Sequence, residues 1–192
     1  MTLKHTIFVY GTLKSGQPNH HWLQNSENGC QQMLPGKFQT VQKFPMIIDT
    51  PWNIPFLLDV DFKTDPKDIS NTNPKTSDFR HSIKHSVSIG KHFSSIKGEI
   101  YKVDDLMLSK LDILEGYPEF YSRKVISCEN DEDPDLVEAQ VYLLENVDFR
   151  KVQGKKLINN FEAEFIGYIK PEERPQNYRE VSLAVVKKLK NK

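Results

Sequence analysis

The chain has 192 residues, of which 38% are hydrophobic and 27% charged, a composition typical of a folded globular domain. Lys and Arg together number 26, as do Asp and Glu, so no excess of positive charge favours nucleic acids. No stretch approaches the roughly 18 apolar residues of a membrane span, and the first ten residues lack the pattern of a signal peptide. We therefore expect one domain over residues 1–192, located in the cytoplasm, with no nucleic acid or membrane as a partner. Cys30 and Cys128 show no metal-binding or redox spacing, so we expect free thiols.

Short strands dominate the predicted secondary structure. The first strand, residues 6–10, is a β-branched and aromatic run that ends at Gly11. Further apolar or alternating runs, broken by Gly, Pro and Asn, predict strands at residues 38–42, 45–49, 54–60, 96–103, 120–127 and 136–144. Short strands in series favour an antiparallel or mixed β-barrel.

The clearest predicted helix begins after Asp104, which can cap its first turn, and ends at Gly116. Apolar residues fall on one face at i, i+4 and i+7, namely Met107, Leu111 and Leu114. This helix carries Glu115 at its C-terminal end. A second, amphipathic helix is predicted over residues 182–192, where Leu and Val alternate with lysines that we expect to be solvated.

Residues 61–93 have a different composition, which is rich in Ser, Thr, Asn, Asp, Lys and Pro. Such a segment buries too little apolar surface to order itself, which predicts a flexible insert, although a lid over a pocket is the alternative. His81 and His85 have the i, i+4 spacing of metal ligands on a helix, but no further ligand is evident. We expect no metal.

The loop Tyr10-Gly11-Thr12-Leu13 is the first candidate site. A glycine directly after a buried strand allows a sharp turn, and the backbone N–H groups of Gly11, Thr12 and Leu13 can then converge on a carboxylate or a developing oxyanion. An ordinary strand-to-loop turn explains the same residue types.

Glu115 is the second candidate. The negative end of the helix dipole and the apolar neighbours Leu114, Tyr117 and Phe120 both disfavour its ionised form. Its pKa should therefore rise from about 4.3 toward neutrality, where a carboxyl group can both accept and return a proton. A surface glutamate beside a helix-ending glycine is the alternative interpretation.

A longer motif surrounds the first candidate. Residues 8–20, Phe-Val-Tyr-Gly-Thr-Leu-Lys-Ser-Gly-Gln-Pro-Asn-His, resemble the opening motif of γ-glutamylamine cyclotransferases within the γ-glutamylcyclotransferase-like superfamily. Further segments resemble that family in its order: Phe-Pro-Met-Ile-Ile at 44–48, Asn-Ile-Pro at 53–55, Gly-Glu-Ile-Tyr at 98–101, Leu-Asp-Ile-Leu-Glu-Gly-Tyr-Pro at 111–118 and Tyr-Ser-Arg at 121–123.

The resemblance implies a small mixed α/β barrel with a few flanking helices and no cofactor. It implies cyclisation of a γ-glutamyl amide, typically γ-glutamyl-ε-lysine, to 5-oxoproline with release of the amine, and we expect a monomer acting on this small molecule. The family's catalytic glutamate falls on Glu115, and its substrate-holding loop falls on Tyr10, Gly11, Thr12 and Leu13.

Alternatives remain open at this level. The chain could prefer γ-glutamyl-α-amino acids, or it could be a non-enzymatic binding protein of the same fold, although the presence of Glu115 favours an enzyme. The insert and an extension from about residue 172 are longer than expected for compact family members, which leaves substrate choice undecided. Four further residues of the motifs are not assigned a catalytic role: Asn19, His20, Tyr121 and Arg123.

Overall fold

The seven predicted strands and the two predicted helices are present, together with two short strands and two short helices that were not predicted. The computed structural model describes residues 2–61, 93–152 and 154–190, so the predicted insert, with His81 and His85, lies outside the described residues except at its two ends. The strands are β1 (His5–Val9), β2 (Gln31–Met33), β3 (Phe38–Thr40), β4 (Met46–Asp49), β5 (Ile54–Asp61), β6 (Lys97–Val103), β7 (Ser122–Asn130), β8 (Val137–Asp148) and β9 (Leu157–Ile158). The helices are α1 (His21–Gln24), α2 (Asp105–Glu115), α3 (Ala163–Ile166) and α4 (Tyr178–Leu189).

Five of these strands close into a ring. β1 pairs with β6, β6 with β3, β3 with β7 and β7 with β8, all antiparallel, and β8 returns to β1 in parallel at Ile7 and Gln140. β5, β4 and β9 extend the sheet from β8, while β2 pairs with β6. The expected small mixed α/β barrel is therefore confirmed.

β1 is buried on both faces from Ile7 to Val9, which explains the apolar run at these three positions. Phe8 belongs to a cluster that includes side chains from all five barrel strands, and this cluster fills the barrel interior. Ile7 and Val9 point to the opposite face, where they join the buried residues of α2 and α4. The helices thus pack on the outside of the barrel, next to the end of β1.

Helix α2 has the predicted boundaries. The backbone N–H of Met107 donates to Asp104 Oδ1 at 2.9 Å, and Gly116 ends the helix in the left-handed conformation at φ 64° and ψ 35°. Met107 and Leu111 are fully buried, each contributing about 1.5–3 kcal/mol by leaving water. This packing fixes the end of the helix, and therefore Glu115, against the barrel.

The C-terminal segment differs from the prediction. Helix α4 begins at Tyr178, four residues before the predicted start at Ser182, and its apolar face is buried through Val186 and Leu189. The expectation of solvated lysines holds for Lys187 and Lys188, which are exposed. No helix in the described part of the chain is long and apolar enough to cross a membrane.

Candidate active site

A cavity of about 380 Å³ opens where the end of β1, the end of α2 and the C-terminal segment meet. Tyr10, Gly11, Thr12, Leu13 and Glu115, the five predicted site residues, all line it. Residues that lie more than 100 positions apart in the chain are thus brought to one concave surface. Its volume suits a small ligand such as a dipeptide.

The loop that lines this cavity has unused backbone donors. Within the described residues, the N–H groups of Gly11, Thr12 and Leu13 donate to no backbone or side-chain acceptor. Consecutive free N–H groups in a partly enclosed site bind anionic oxygens well. The loop can therefore hold a carboxylate or stabilise an oxyanion.

The reason for a glycine at position 11 differs from the expected one. Gly11 does not have a positive φ, so the turn does not require glycine for its backbone conformation. Instead, a Cβ at this position would lie 3.0 Å from Pro55 Cγ on β5. Glycine is needed here because the loop and β5 approach each other closely.

Other residues of the opening motif hold the loop in place. Asn19 donates from its side chain to Thr12 Oγ1 at 3.0 Å and from its backbone to Thr12 O at 2.9 Å. His20 donates from Nδ1 to the carbonyl oxygen of Leu13 at 3.0 Å. Both residues therefore fix the conformation of the loop, and Asn19 also lines the cavity.

Glu115 lies at the last position of α2, half-buried in the cavity wall. Burial raises the pKa of its carboxyl group from 4.5 to about 7. Within the described residues, no side chain forms an ion pair or hydrogen bond with it. Its carboxylate is thus available to a ligand and can exchange a proton near neutral pH.

Four tyrosines surround Glu115. Burial raises the pKa of each phenol, and the nearby Glu115 charge adds to the effect. Tyr10 follows the end of β1, Tyr121 comes directly before β7, Tyr142 lies on β8, and Tyr168 follows α3. Their hydroxyls stay neutral at working pH, so they offer hydrogen bonds and an apolar wall.

Tyr142 is oriented by a group outside the cavity. Its hydroxyl donates to Asp112 Oδ1 at 2.6 Å, and Arg123 Nε lies 3.3 Å from the same oxygen. Arg123 also donates to Gln140 Oε1 at 3.0 Å and does not line the cavity. Arg123 therefore links α2, through Asp112, to β8, through Gln140.

The outer wall of the cavity comes from the C-terminal segment, which the sequence did not connect with the site. Pro171, Arg174, Tyr178, Arg179 and Leu183 all line it. Ser182 accepts a hydrogen bond from Trp52 Nε1 at 3.1 Å, which ties α4 to the turn between β4 and β5. No local motif in this segment marks a binding surface, because its role depends on where α4 packs.

The cavity contains no cluster of metal-ligand type. Among the described residues, no group of three or more His, Cys, Asp or Glu side chains converges. Cys30 is exposed, Cys128 is buried, and they are not joined by a disulfide. The arrangement is that of a single half-buried carboxylic acid facing free backbone donors.

Comparison with known proteins identifies a matching family model, relatives in sequence and a similar solved structure. The family model described as "Gamma-glutamyl cyclotransferase, AIG2-like" matches residues 7–62 and 78–162. A Drosophila melanogaster protein named "Putative gamma-glutamylcyclotransferase CG2811" is 38% identical over 91% of this chain and 87% of its own length. "Gamma-glutamylaminecyclotransferase C" of Danio rerio is 39% identical over 72% of this chain and 74% of its own length. The crystal structure of an AIG2-like protein from Mus musculus, 28% identical, superposes with a TM-score of 0.64 and covers 89% of this chain and 100% of that one.

Proposed function

Because the chain belongs to the AIG2-like gamma-glutamyl cyclotransferase family, we propose that it cyclises a γ-glutamyl amide to 5-oxoproline and releases the free amine. The preferred substrate in this proposal is a γ-glutamylamine such as γ-glutamyl-ε-lysine. The observation that supports it is one cavity lined both by a half-buried glutamate with a pKa of about 7 and by a loop of free backbone donors.

The proposed reaction needs one group that accepts and returns protons. Glu115 takes a proton from the substrate's α-ammonium group, and the amine nitrogen then attacks the γ-carbonyl carbon. A C–N bond closes the five-membered ring, and the original amide C–N bond breaks. Glu115 returns this proton to the departing nitrogen, then takes the second proton that the ring nitrogen must lose and passes it to the released amine, which leaves as an ammonium ion. Atoms and charge balance without a cofactor or a second nucleophile.

The loop has a positioning role in this proposal. The N–H groups of Gly11, Thr12 and Leu13 bind the glutamyl part and hold it in the folded shape that brings the amine to the carbonyl. Well-oriented intramolecular reactions reach effective molarities of about 10⁵–10⁸ M, whereas a general acid/base contributes roughly 10²–10⁴-fold. Orientation by the loop therefore supplies more of the acceleration than proton transfer does.

A second candidate keeps the chemistry but changes the leaving group. The Drosophila relative, which matches 91% of this chain, carries the name "Putative gamma-glutamylcyclotransferase CG2811" rather than that of a gamma-glutamylaminecyclotransferase. This favours γ-glutamyl-α-amino acids as alternative substrates.

The experiment that tests the proposal compares purified protein on γ-glutamyl-ε-lysine and on γ-glutamyl-α-amino acids, with 5-oxoproline as the readout. Glu115→Gln is the matched variant, because it keeps the shape of the side chain and removes the proton acceptor. We expect turnover by the wild type and a loss of at least about 10²-fold in the variant. Undiminished 5-oxoproline production by Glu115→Gln would refute the assigned role of Glu115, and no production from any γ-glutamyl amide would refute the reaction.

A further inference from the structure

Within the described part of the chain, the positive charge in the cavity comes from the C-terminal segment. Among the described residues that line it, the only cations are Arg174 and Arg179, while Glu115 and Glu119 are the acids. Both arginines lie beyond residue 162, where the match to the family model ends. The C-terminal segment thus adds a charge of opposite sign to a site whose proton-transfer group is a carboxylate.

Arg174 is held rigidly in this wall. Its Nε donates to the carbonyl oxygen of Ile169 at 2.8 Å. The guanidinium carbon lies 5.0 Å from the ring centroid of Tyr168 and 5.2 Å from that of Tyr178. Stacking on two aromatic rings fixes the plane of the guanidinium and lowers the entropy lost when it binds a ligand.

One nitrogen of the same guanidinium has no partner among the described residues. Arg174 Nη2 is buried and makes no hydrogen bond within the described residues. No described acid forms an ion pair with Arg174. A buried, unpaired charged donor is costly, and a carboxylate ligand would relieve that cost with a charge-assisted hydrogen bond.

Arg179 is a weaker candidate for the same task. It is exposed, and its Nε donates to the Tyr178 hydroxyl at 3.2 Å, which leaves most of its guanidinium in water. Hydrated surface charges contribute little to binding. The fixed and partly desolvated Arg174 is therefore the better anchor.

We propose that Arg174 binds a carboxylate on the part of the substrate that leaves as the amine, and so selects γ-glutamyl amides of amino acids over those of simple alkylamines. This inference rests on the proposed function, in which the loop N–H groups bind the glutamyl part at the other end of the cavity. A planar guanidinium suits a carboxylate better than it suits a neutral or cationic leaving group.

The test uses matched substrate pairs that differ only in that carboxylate: γ-glutamyl-ε-lysine against γ-glutamyl-cadaverine, and γ-glutamyl-alanine against γ-glutamyl-ethylamine. The wild type should favour the carboxylate-bearing member of at least one pair by about 10- to 100-fold in kcat/KM, as expected for one charge-assisted hydrogen bond. Arg174→Gln should bring that ratio close to one by slowing only the carboxylate-bearing substrate. Arg174→Lys, which keeps the positive charge but lacks the planar guanidinium with its paired donors, should give an intermediate ratio.

Lys188→Gln is the control variant, because Lys188 is an exposed cation on α4 that does not line the cavity. It should leave the ratio unchanged. If Arg174→Gln slows both members of each pair equally, Arg174 binds the glutamyl part or only supports the fold, and the inference is wrong.

A binding measurement separates this inference from the proposed reaction. In the Glu115→Gln background, calorimetry with the same four compounds should show the carboxylate preference, and a second substitution at Arg174 should remove it. Carboxylate-dependent binding without any 5-oxoproline from the wild type would refute the reaction while supporting the role of Arg174. Turnover with the same preference in wild type and Arg174→Gln would refute the role of Arg174 alone.

Discussion

Gly11 and Pro55 approach each other so closely that a Cβ on residue 11 would lie 3.0 Å from Pro55 Cγ. Few real Cβ atoms have a neighbour this near, so a side chain at position 11 must shift the Pro55 ring or the loop backbone by a few tenths of an ångström. Both residues line the cavity, and the displaced backbone would carry the N–H groups proposed to bind the substrate.

Gly11→Ala should therefore lower kcat/KM for a γ-glutamyl amide by about 10- to 100-fold, because small displacements of a positioning group cost much of the orientation effect. Steady-state kinetics and a thermal melt measure activity and fold separately. The double variant Gly11→Ala/Pro55→Ala removes the close contact and should recover part of the loss. A double variant no more active than the single one would contradict the steric explanation.

The activity should depend on pH through Glu115. The proton acceptor must be ionised, and burial raises its pKa to about 7, so kcat/KM should rise as pH increases through about 7 and level off above it. A pH profile of kcat/KM measures this directly. Glu119→Gln is the control, because Glu119 is an exposed carboxylate in the same cavity wall, and its removal should leave the midpoint in place. A midpoint near 4.5 would show that Glu115 is not the group that is titrated.

The same group should make folding stability depend on pH. The folded-state pKa of Glu115 lies above its unfolded value, so the folded state holds more protons between about pH 4.5 and 7, and stability falls as pH rises through this window. A pKa raised from 4.5 to about 7 corresponds to about 3 kcal/mol in the free energy of unfolding. Because Glu115 is partly exposed, we expect an effect on the order of 2 kcal/mol.

Urea unfolding of wild type and Glu115→Gln at pH 5 and pH 8 isolates this effect, since the remaining carboxylates cancel in the comparison. From pH 5 to pH 8, the free energy of unfolding of the variant should increase relative to that of the wild type by on the order of 2 kcal/mol. An unchanged difference between the two proteins would mean that the carboxyl group is not desolvated in the folded state.

Helix α4 should contribute to stability as well as to the cavity wall. Leu189 is 4% exposed and packs with the core residues of β1 and α2, so Leu189→Ala should cost about 2–4 kcal/mol in the free energy of unfolding. Lys188→Ala, one residue earlier on the exposed face, should change it by less than about 0.5 kcal/mol. Urea denaturation of both variants checks the difference, and equal costs would mean that α4 does not pack on the core in solution.

The sequence determined the parts of this protein that depend on neighbouring residues. The strand before Gly11 follows from a β-branched run, and the helix that ends in Glu115 follows from its cap, its apolar spacing and Gly116. These signals are local because capping and periodic burial involve residues within a few positions of one another. The roles of Glu115 and of the loop stay predictions, supported by one shared cavity.

The surroundings of Glu115 depend on how distant parts of the chain pack together. The pairing of Ile7 with Gln140 closes the barrel, and the packing of α4 places Arg174 beside the cavity. Tyr142 on β8 and Tyr168 beyond α3 lie near enough to the same carboxylate for its charge to raise their pKa values. Periodicity reports that a residue is buried but not which distant residue it meets, because strand pairing and helix docking are fixed by the free energy of the whole fold.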